Sequence, residues 1–430
     1  MRISVIGGGL AGSEAAWQIA ERGLTVDLYE MRPHKFTPAH HTGKLAELVC
    51  SNSLGGKQIT SGGGLLKAEL MQLDSLIIKA AYQCEVPAGG ALAVDRNQFA
   101  ELVTKAVENH PRINLIRSEC TELPEGVVVI ATGPLSSPAM TELIQKLTGS
   151  KQLSFYDAAA PIVTGDSVDY DQGFWGARYN KGTADYFNCP MSKEEYEHFW
   201  HELVNAEQAP LHEGVEDLQV FEGCIPIEIM ARRGIETLRY GPLRPVGLAD
   251  KDGSRLYAVV QLRLENTAKT LFNLVGFQTR LKWGEQKRVF RLIPALKNAE
   301  FVRYGVMHRN TFVNAPKILE RTYQLRSHPQ IFLAGQITGV EGYVESVSSG
   351  LTAGINAARL ANGQHPIAFP EETMIGALAK YITTAGEDFQ PMNANFGILP
   401  PLEEKVKNKL ARKQAYADRA LAYFTEGRLF

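Results

Sequence analysis

Three short apolar runs, far apart in the chain, each end in glycine, and the first of them opens a regular strand–helix–strand pattern. Arg2–Ile6 reads as a buried strand, and Ser13–Arg22 places Ala16, Ile19 and Ala20 at helical spacing. Leu24–Glu30 then alternates as a second strand. Gly126–Ile130 is a further apolar strand, running into the small-residue turn Ala131-Thr132-Gly133-Pro134. Ile331–Ala334 is the third, with Gly335 and Gly339 just beyond it. A helix rich in small residues follows from Ser346 to Leu360, carrying Gly350, Ala353, Gly354, Ala357 and Ala358. Small residues there let a helix approach a cofactor or a sheet closely.

Between the second and third runs the pattern changes. Ser192–Asn205 is helical, whereas Arg255–Arg263 and Leu271–Phe277 alternate like strands. The reading is an α/β chain: a Rossmann-type domain of the two-dinucleotide-binding-fold kind over 1–156 and 301–370, with an α+β domain inserted over 157–300. A helical segment over 371–430, broken at Pro400-Pro401 and turning basic, completes the chain. Gly62-Gly63-Gly64 has no strand before it and reads as a flexible loop.

The first glycine turn has chemistry written into its spacing. Gly7, Gly9 and Gly12 within Gly7-Gly8-Gly9-Leu10-Ala11-Gly12 make G-x-G-x-x-G between a strand and a helix. That arrangement brings backbone N–H groups and the positive end of a helix dipole up to a pyrophosphate. Glu30 stands 18 residues past Gly12, where an acid holds a ribose hydroxyl, and Arg32 belongs to the same expected cofactor set. Gly133, Gly335 and Gly339 are the later turns expected beside the cofactor. An Ala-Thr-Gly turn after an apolar strand is common where a flavoprotein chain returns to its FAD, so FAD is favoured over NAD. No second G-x-G-x-x-G occurs, so a nicotinamide that reduces the flavin has no Rossmann domain of its own here.

Composition bounds the rest. With 430 residues and 44% hydrophobic content, the chain is long enough for two or three domains. A net charge of −2 gives no general attraction for nucleic acid, so such a partner needs a local basic surface. Candidates are the stripe Lys405, Lys407, Lys409, Arg412, Lys413 and Arg419, together with Arg232, Arg233, Arg280, Lys282, Lys287 and Arg288. The ordinary alternative for each is a solvated face. No apolar run spans a bilayer, and the first strand begins at once, leaving no room for a signal peptide. Five scattered cysteines without C-x-x-C argue for a reduced, cytoplasmic protein. His40-His41 has no third ligand at metal spacing, so no metal is expected. Among the thiols, Cys50 in Glu47–Ser53 and Cys224 in Phe221–Glu228 rise modestly above the inert, buried default.

Longer strings add a resemblance. Thr37–Thr42 through Cys50–Ser53, Val86–Arg96, Phe277–Trp283, Gly305–Asn310, Gly335–Glu345 and Phe389–Gly397 resemble the flavoprotein family of methylenetetrahydrofolate–tRNA-(uracil-5-)-methyltransferases over nearly the whole chain. The Gly350–Ala358 helix also resembles the related flavoprotein that modifies wobble uridines with a partner protein. The first resemblance implies C5-methylation of the T-loop uridine of tRNA. Carbon would come from 5,10-methylenetetrahydrofolate and two electrons from FAD reduced by NADPH or NADH, leaving tetrahydrofolate. It implies Cys224 as the thiol that adds to uracil C6 and Cys50 as the flavin-side thiol, with the reverse assignment open. tRNA, folate and a nicotinamide nucleotide are the implied partners, with no membrane and no obligate protein partner.

Overall fold

A computed structural model describes residues 2–149, 153–180, 183–209, 225–248, 255–386, 389–404 and 406–425. Its first sheet has five parallel strands in the order Ile331–Leu333, Val127–Ile130, Ile3–Ile6, Val26–Tyr29, Ile113–Ile116. Ile3–Ile6 and Val127–Ile130 are buried throughout, as a parallel strand covered on both faces demands. The three glycine-ended runs therefore lie side by side and open at one end of the sheet.

The helix Leu10–Glu21 leaves the first strand and is crossed by Tyr343–Ala361 along much of its length. The small residues of the later helix serve this crossing. A Cβ on Gly350 would lie 2.2 Å from the Ala11 carbonyl oxygen, and one on Gly354 2.6 Å from that of Ala15. The glycines' close approach is to a helix backbone, while the helix as a whole also packs on the parallel sheet.

Gly62–Gly64 is not a loop. It opens the helix Gly62–Gln72, capped by the Ser61 hydroxyl, which accepts from Gly64 N–H. Side chains are excluded there because a Cβ on Gly62 would sit 2.2 Å from the Ala394 oxygen and one on Gly64 1.9 Å from that of Gln58. Gly62 thus answers a packing demand from a residue far away in sequence, and Gly64 one from the turn just before the helix.

A second core surrounds a six-stranded antiparallel sheet in the order Phe174–Gly176, Tyr186–Met191, Ala258–Leu264, Leu271–Leu274, Ile162–Thr164, Phe301–Arg303. Phe187, Phe199, Phe272, Phe277 and Phe290 fill it under the helices Lys193–Asn205 and Trp283–Phe290. The first of these helices starts with a full capping box between Ser192 and Glu195. The pair Leu153–Ala158 and Met307–Phe312 runs antiparallel between the two cores. Helices Met374–Thr384 and Lys409–Thr425 pack back onto Gly62–Gln72.

The helix crossing can be tested directly. Gly354→Ala forces two backbones apart and is expected to cost about 1–3 kcal/mol in urea unfolding. Gly284→Ala, whose added carbon meets no described atom within 4 Å, should instead leave stability unchanged or raise it by up to about 1 kcal/mol. Equal effects would show that the crossing tolerates side chains.

Candidate functional site

A cleft of about 1060 Å³ opens where the three glycine turns meet. Its floor is Gly7, Gly9, Leu10 and Ala11; its walls include Glu30, Arg32, Gly133, Gly335 and Tyr343. The glycines divide the work. Gly7 turns the chain at φ +102°, and a Cβ there would press on the Ala131 carbonyl at 2.5 Å. A Cβ on Gly12 would lie 1.7 Å from the Gly7 oxygen, so this position keeps the helix tight against the turn. At Gly9 an added Cβ meets nothing within 4 Å, which leaves the turn's backbone open to a pyrophosphate. Gly133 is likewise open at φ +69°. This cradle, at the open end of the parallel strands, fits the dinucleotide of FAD.

Other expected residues brace the cleft, and Gly8 and Gly339 do so without lining it. Gly8 N–H donates to Glu30 Oε2 at 2.9 Å, and a Cβ on Gly8 would collide with Leu45. Gly339 packs its backbone under the Phe389 ring, where a Cβ would come within 2.4 Å. Gly335 lines the cleft, and its N–H donates to Ser349 Oγ at 2.7 Å.

Glu30 ends the second strand inside a buried ion cluster. Burial alone would push its carboxyl up, but hydrogen bonds and charge from Arg32 outweigh this and hold it below the usual range. Arg32 Nε and Nη2 donate to Glu30 at 2.9 and 3.0 Å, while Nη1 donates to Glu47 Oε2 at 3.1 Å. Glu47 in turn accepts from the backbone N–H groups of His41 and Thr42 at 2.9 and 3.1 Å. One arginine thus ties the 37–47 loop to the cleft wall. Glu30 already accepts from four protein donors, so a ribose hydroxyl would have to share the carboxylate with Arg32.

Cys50 lies next to this wall. Val49 and Tyr343 both line the cleft, and Cys50 N–H donates to Tyr343 Oη at 2.7 Å. Two guanidiniums grip the same stretch of backbone. Arg96 donates to the carbonyls of Leu48 and Cys50, and Arg303 to that of Val49. Glu265 anchors Arg96 at 2.9 Å. Asn52 fastens the other end by donating to the Val94 and Leu264 carbonyls at 2.9 and 3.0 Å. Burial and the nearby Cys50 push the Tyr343 phenol up, so it stays protonated. Positive charge beside a thiol is the setting in which cysteine works as a nucleophile.

Cys224 and Lys405 lie outside the described residues. Of the remaining tail cations, Lys407, Lys409 and Arg412 are exposed. Arg419 donates to the Pro400 and Pro401 carbonyls at 2.8 and 2.9 Å and so holds the tail in place. In the second core's helices, Arg288 is paired with Glu202 and Glu285, and Lys282 with Glu207 at 2.6 Å. Residues that the sequence did not single out for the site include Glu47, Arg96, Arg303, Tyr343 and Cys120, the last of which lines the cleft. Glu47 lies within the quoted Cys50 string, but nothing local marks it as Arg32's second partner.

The parallel sheet, the glycine cradle and the long cleft define a dinucleotide-binding protein of the GidA flavoprotein class. A family model described as glucose inhibited division protein A matches residues 2–365. A solved structure of Aquifex aeolicus GidA has the same fold at a TM-score of 0.72 and 18% identity, covering 99% of this chain and 73% of that one. Closer relatives narrow the class. Methylenetetrahydrofolate–tRNA-(uracil-5-)-methyltransferase TrmFO of Natranaerobius thermophilus is 62% identical over 99% of both chains. Its namesake from Lysinibacillus sphaericus is 61% identical over 98% of this chain and 96% of its own. The chain belongs to the methylenetetrahydrofolate–tRNA-(uracil-5-)-methyltransferase family.

The cleft carries a pH signature. Burial, and then the charge of Arg32, lower the His40 imidazole to about 4, while Thr37 Oγ1 meets its Nδ1 at 2.6 Å. Unfolded, it would titrate near 6.5, so between pH 6.5 and about 4 the unfolded chain binds a proton that the folded chain refuses. Folding stability should therefore fall as pH drops through that window. His40→Gln should flatten the fall in urea midpoints between pH 7 and 5; identical slopes would refute the assignment.

Proposed function

We propose that this protein methylates C5 of the T-loop uridine of tRNA, with 5,10-methylenetetrahydrofolate as carbon donor. The observation that carries the reading is identity of about 60% over essentially the full length of relatives named for that reaction, on a chain whose cleft fits FAD. Bound FAD, reduced by NADPH or NADH, supplies the two electrons that take a formaldehyde-level carbon to a methyl group. Gly7, Gly9 and Leu10 would receive the pyrophosphate at the helix N-terminus, and Glu30 with Arg32 the adjoining ribose. No obligate protein partner is invoked, and a reduced cytoplasm suits a mechanism built on thiols.

Uracil C5 is a poor nucleophile until a thiolate adds at C6. The position of Cys50 against Val49 and Tyr343 supports the flavin-side role for it, which leaves Cys224 to add to C6. The T-loop uridine is buried in folded tRNA, so the base must be turned out toward the thiols. We further propose that the parallel-sheet core binds the flavin, that the second core presents the RNA, and that Lys407, Lys409 and Arg412 meet phosphates. The paired cations Lys282 and Arg288 contribute less, because neighbouring acids already neutralise them.

The test is transfer of label from methylene-folate to unmodified tRNA transcript with NADPH or NADH, followed by mapping of the labelled nucleoside. Label at the T-loop uridine is expected. Label at the wobble position, or none on a flavin-loaded enzyme, would overturn the reading. Cys224→Ala and Cys50→Ala should each lower the rate at least about 100-fold while retaining FAD; full activity in both would remove the covalent step. Replacing Lys407, Lys409 and Arg412 together by Ala should reduce the slope of log affinity against log salt by about 2.

A further inference from the structure

A stack of aromatic rings stands on the surface of the second core. Trp283 is 62% exposed, and its ring lies 5.4 Å from that of Tyr304 at an interplanar angle of 11°. Tyr304 stacks in turn on Phe301, at 5.5 Å and again 11°. Trp283 opens the helix Trp283–Phe290, whereas Tyr304 follows the edge strand Phe301–Arg303, so the stack joins two separate segments.

The joint is built to hold still. Gln286, fully buried one turn beyond Trp283, donates to the Gly305 carbonyl at 2.8 Å and to that of Leu281 at 2.7 Å. Its own oxygen accepts from Gly305 N–H at 2.8 Å. A side chain at 305 is excluded, since a Cβ there would meet Thr279 at 2.5 Å. The Gln286 side chain thus ties the backbone beside Tyr304 to the start of the helix that carries Trp283.

Its placement is the second observation. Arg303, adjacent to Tyr304, reaches back to the Val49 carbonyl next to Cys50. On the other side, Thr279 and the Arg280 N–H donate to buried Glu228 at 2.8 and 2.9 Å, and Ile227 N–H donates to the Gln278 carbonyl at 2.8 Å. The helix holding Glu228 begins at Ile227, three residues after Cys224. The platform is thus tied by hydrogen bonds to the segment that follows one thiol and to the segment that bears the other. Lys287 lies on the same helix as Trp283 and is exposed.

We propose that the outer face of Trp283 stacks on a base of the tRNA arm and so positions the RNA for methyl transfer. This rests on the reading of the Cys50 and Cys224 segments as the site of transfer. A rigid ring, a neighbouring cation and an open π-face are the parts that unpaired nucleotides use for binding without sequence readout. A T arm with one base turned out leaves its stacking neighbours exposed, and a fixed aromatic surface at the site's edge captures one of them. Trp283 is a positioning residue, since its ring carries no group that could react.

The test measures binding apart from chemistry. Affinity of the flavin-loaded enzyme for an unmodified T-arm hairpin is compared among the parent chain, Trp283→Phe, Trp283→Leu and Trp283→Ala. Leu and Ala should weaken binding about 5- to 100-fold, and Phe no more than about 3-fold. Flavin content and tetrahydrofolate affinity should be unchanged in all. A Leu variant that binds RNA like the parent would overturn the proposal, as would a loss that falls on folate rather than RNA. If the parent methylates tRNA while all three variants bind normally, the platform alone falls and the function stands.

Discussion

Backbone packed directly on backbone is the constraint on which the cleft depends. The Gly7 carbonyl lies where a side chain on Gly12 would be, and the Ala11 and Ala15 carbonyls lie where side chains on Gly350 and Gly354 would be. Each glycine inside a helix costs about 0.5–1 kcal/mol relative to alanine. The return is a helix pair close enough to bring Tyr343, at the start of the later helix, to the mouth of a turn made by residues 7–12. Widening that crossing would move the wall that meets the Cys50 segment away from the glycine floor of the cleft.

Buried arginines then fix the loops that the backbone contacts leave unsupported. Arg32 bridges Glu30 and Glu47, and Arg96 is anchored by Glu265 while it holds the carbonyls around Cys50. Removing one partner of such a buried pair typically costs 3–5 kcal/mol, because a charge is left without compensation. The ions therefore act as geometric constraints more than as sources of net stability. Arg303 and Glu265 come from the antiparallel sheet or its strand ends, whereas Val49 and Arg96 belong to the flavin side of the chain. The thiol segment is held jointly by both parts, so movement of one is felt at the sulfur's backbone.

Much of this was legible in the chain. The strands at Ile3, Val26, Val127 and Ile331, the fingerprint glycines and the capped helix after Ser192 follow from local spacing alone. Gly62-Gly63-Gly64 was misleading: three glycines in a row look flexible, yet Gly62 is pressed against the distant Ala394 oxygen and Gly64 against that of Gln58, six residues before it. The small-residue helix was placed correctly; it packs on the sheet and its first turn lines the cleft, but its glycines serve the crossing with the opening helix. Arg419, read as part of a basic stripe, is engaged by two proline carbonyls, and Arg288 is neutralised by two acids. Charge along a sequence reports what a residue carries and not which neighbour has already claimed it.

The sequence by itself determined the dinucleotide turn, the strands around it and the family strings, one of which holds Cys50. The glycine turn and each strand's apolar run are set by residues a few positions apart, which spacing records directly, although the strands pair across more than 100 residues. Only the tertiary structure decided that Arg96, with Glu265 behind it, Arg303 and Tyr343 converge on the backbone of Leu48–Cys50, and that Trp283 stacks on Tyr304. Such convergence joins residues tens to hundreds of positions apart through the crossing of two helices and the edge of a second sheet. No local periodicity encodes it, because the energy that holds these groups together comes from filling shared space and pairing buried charge.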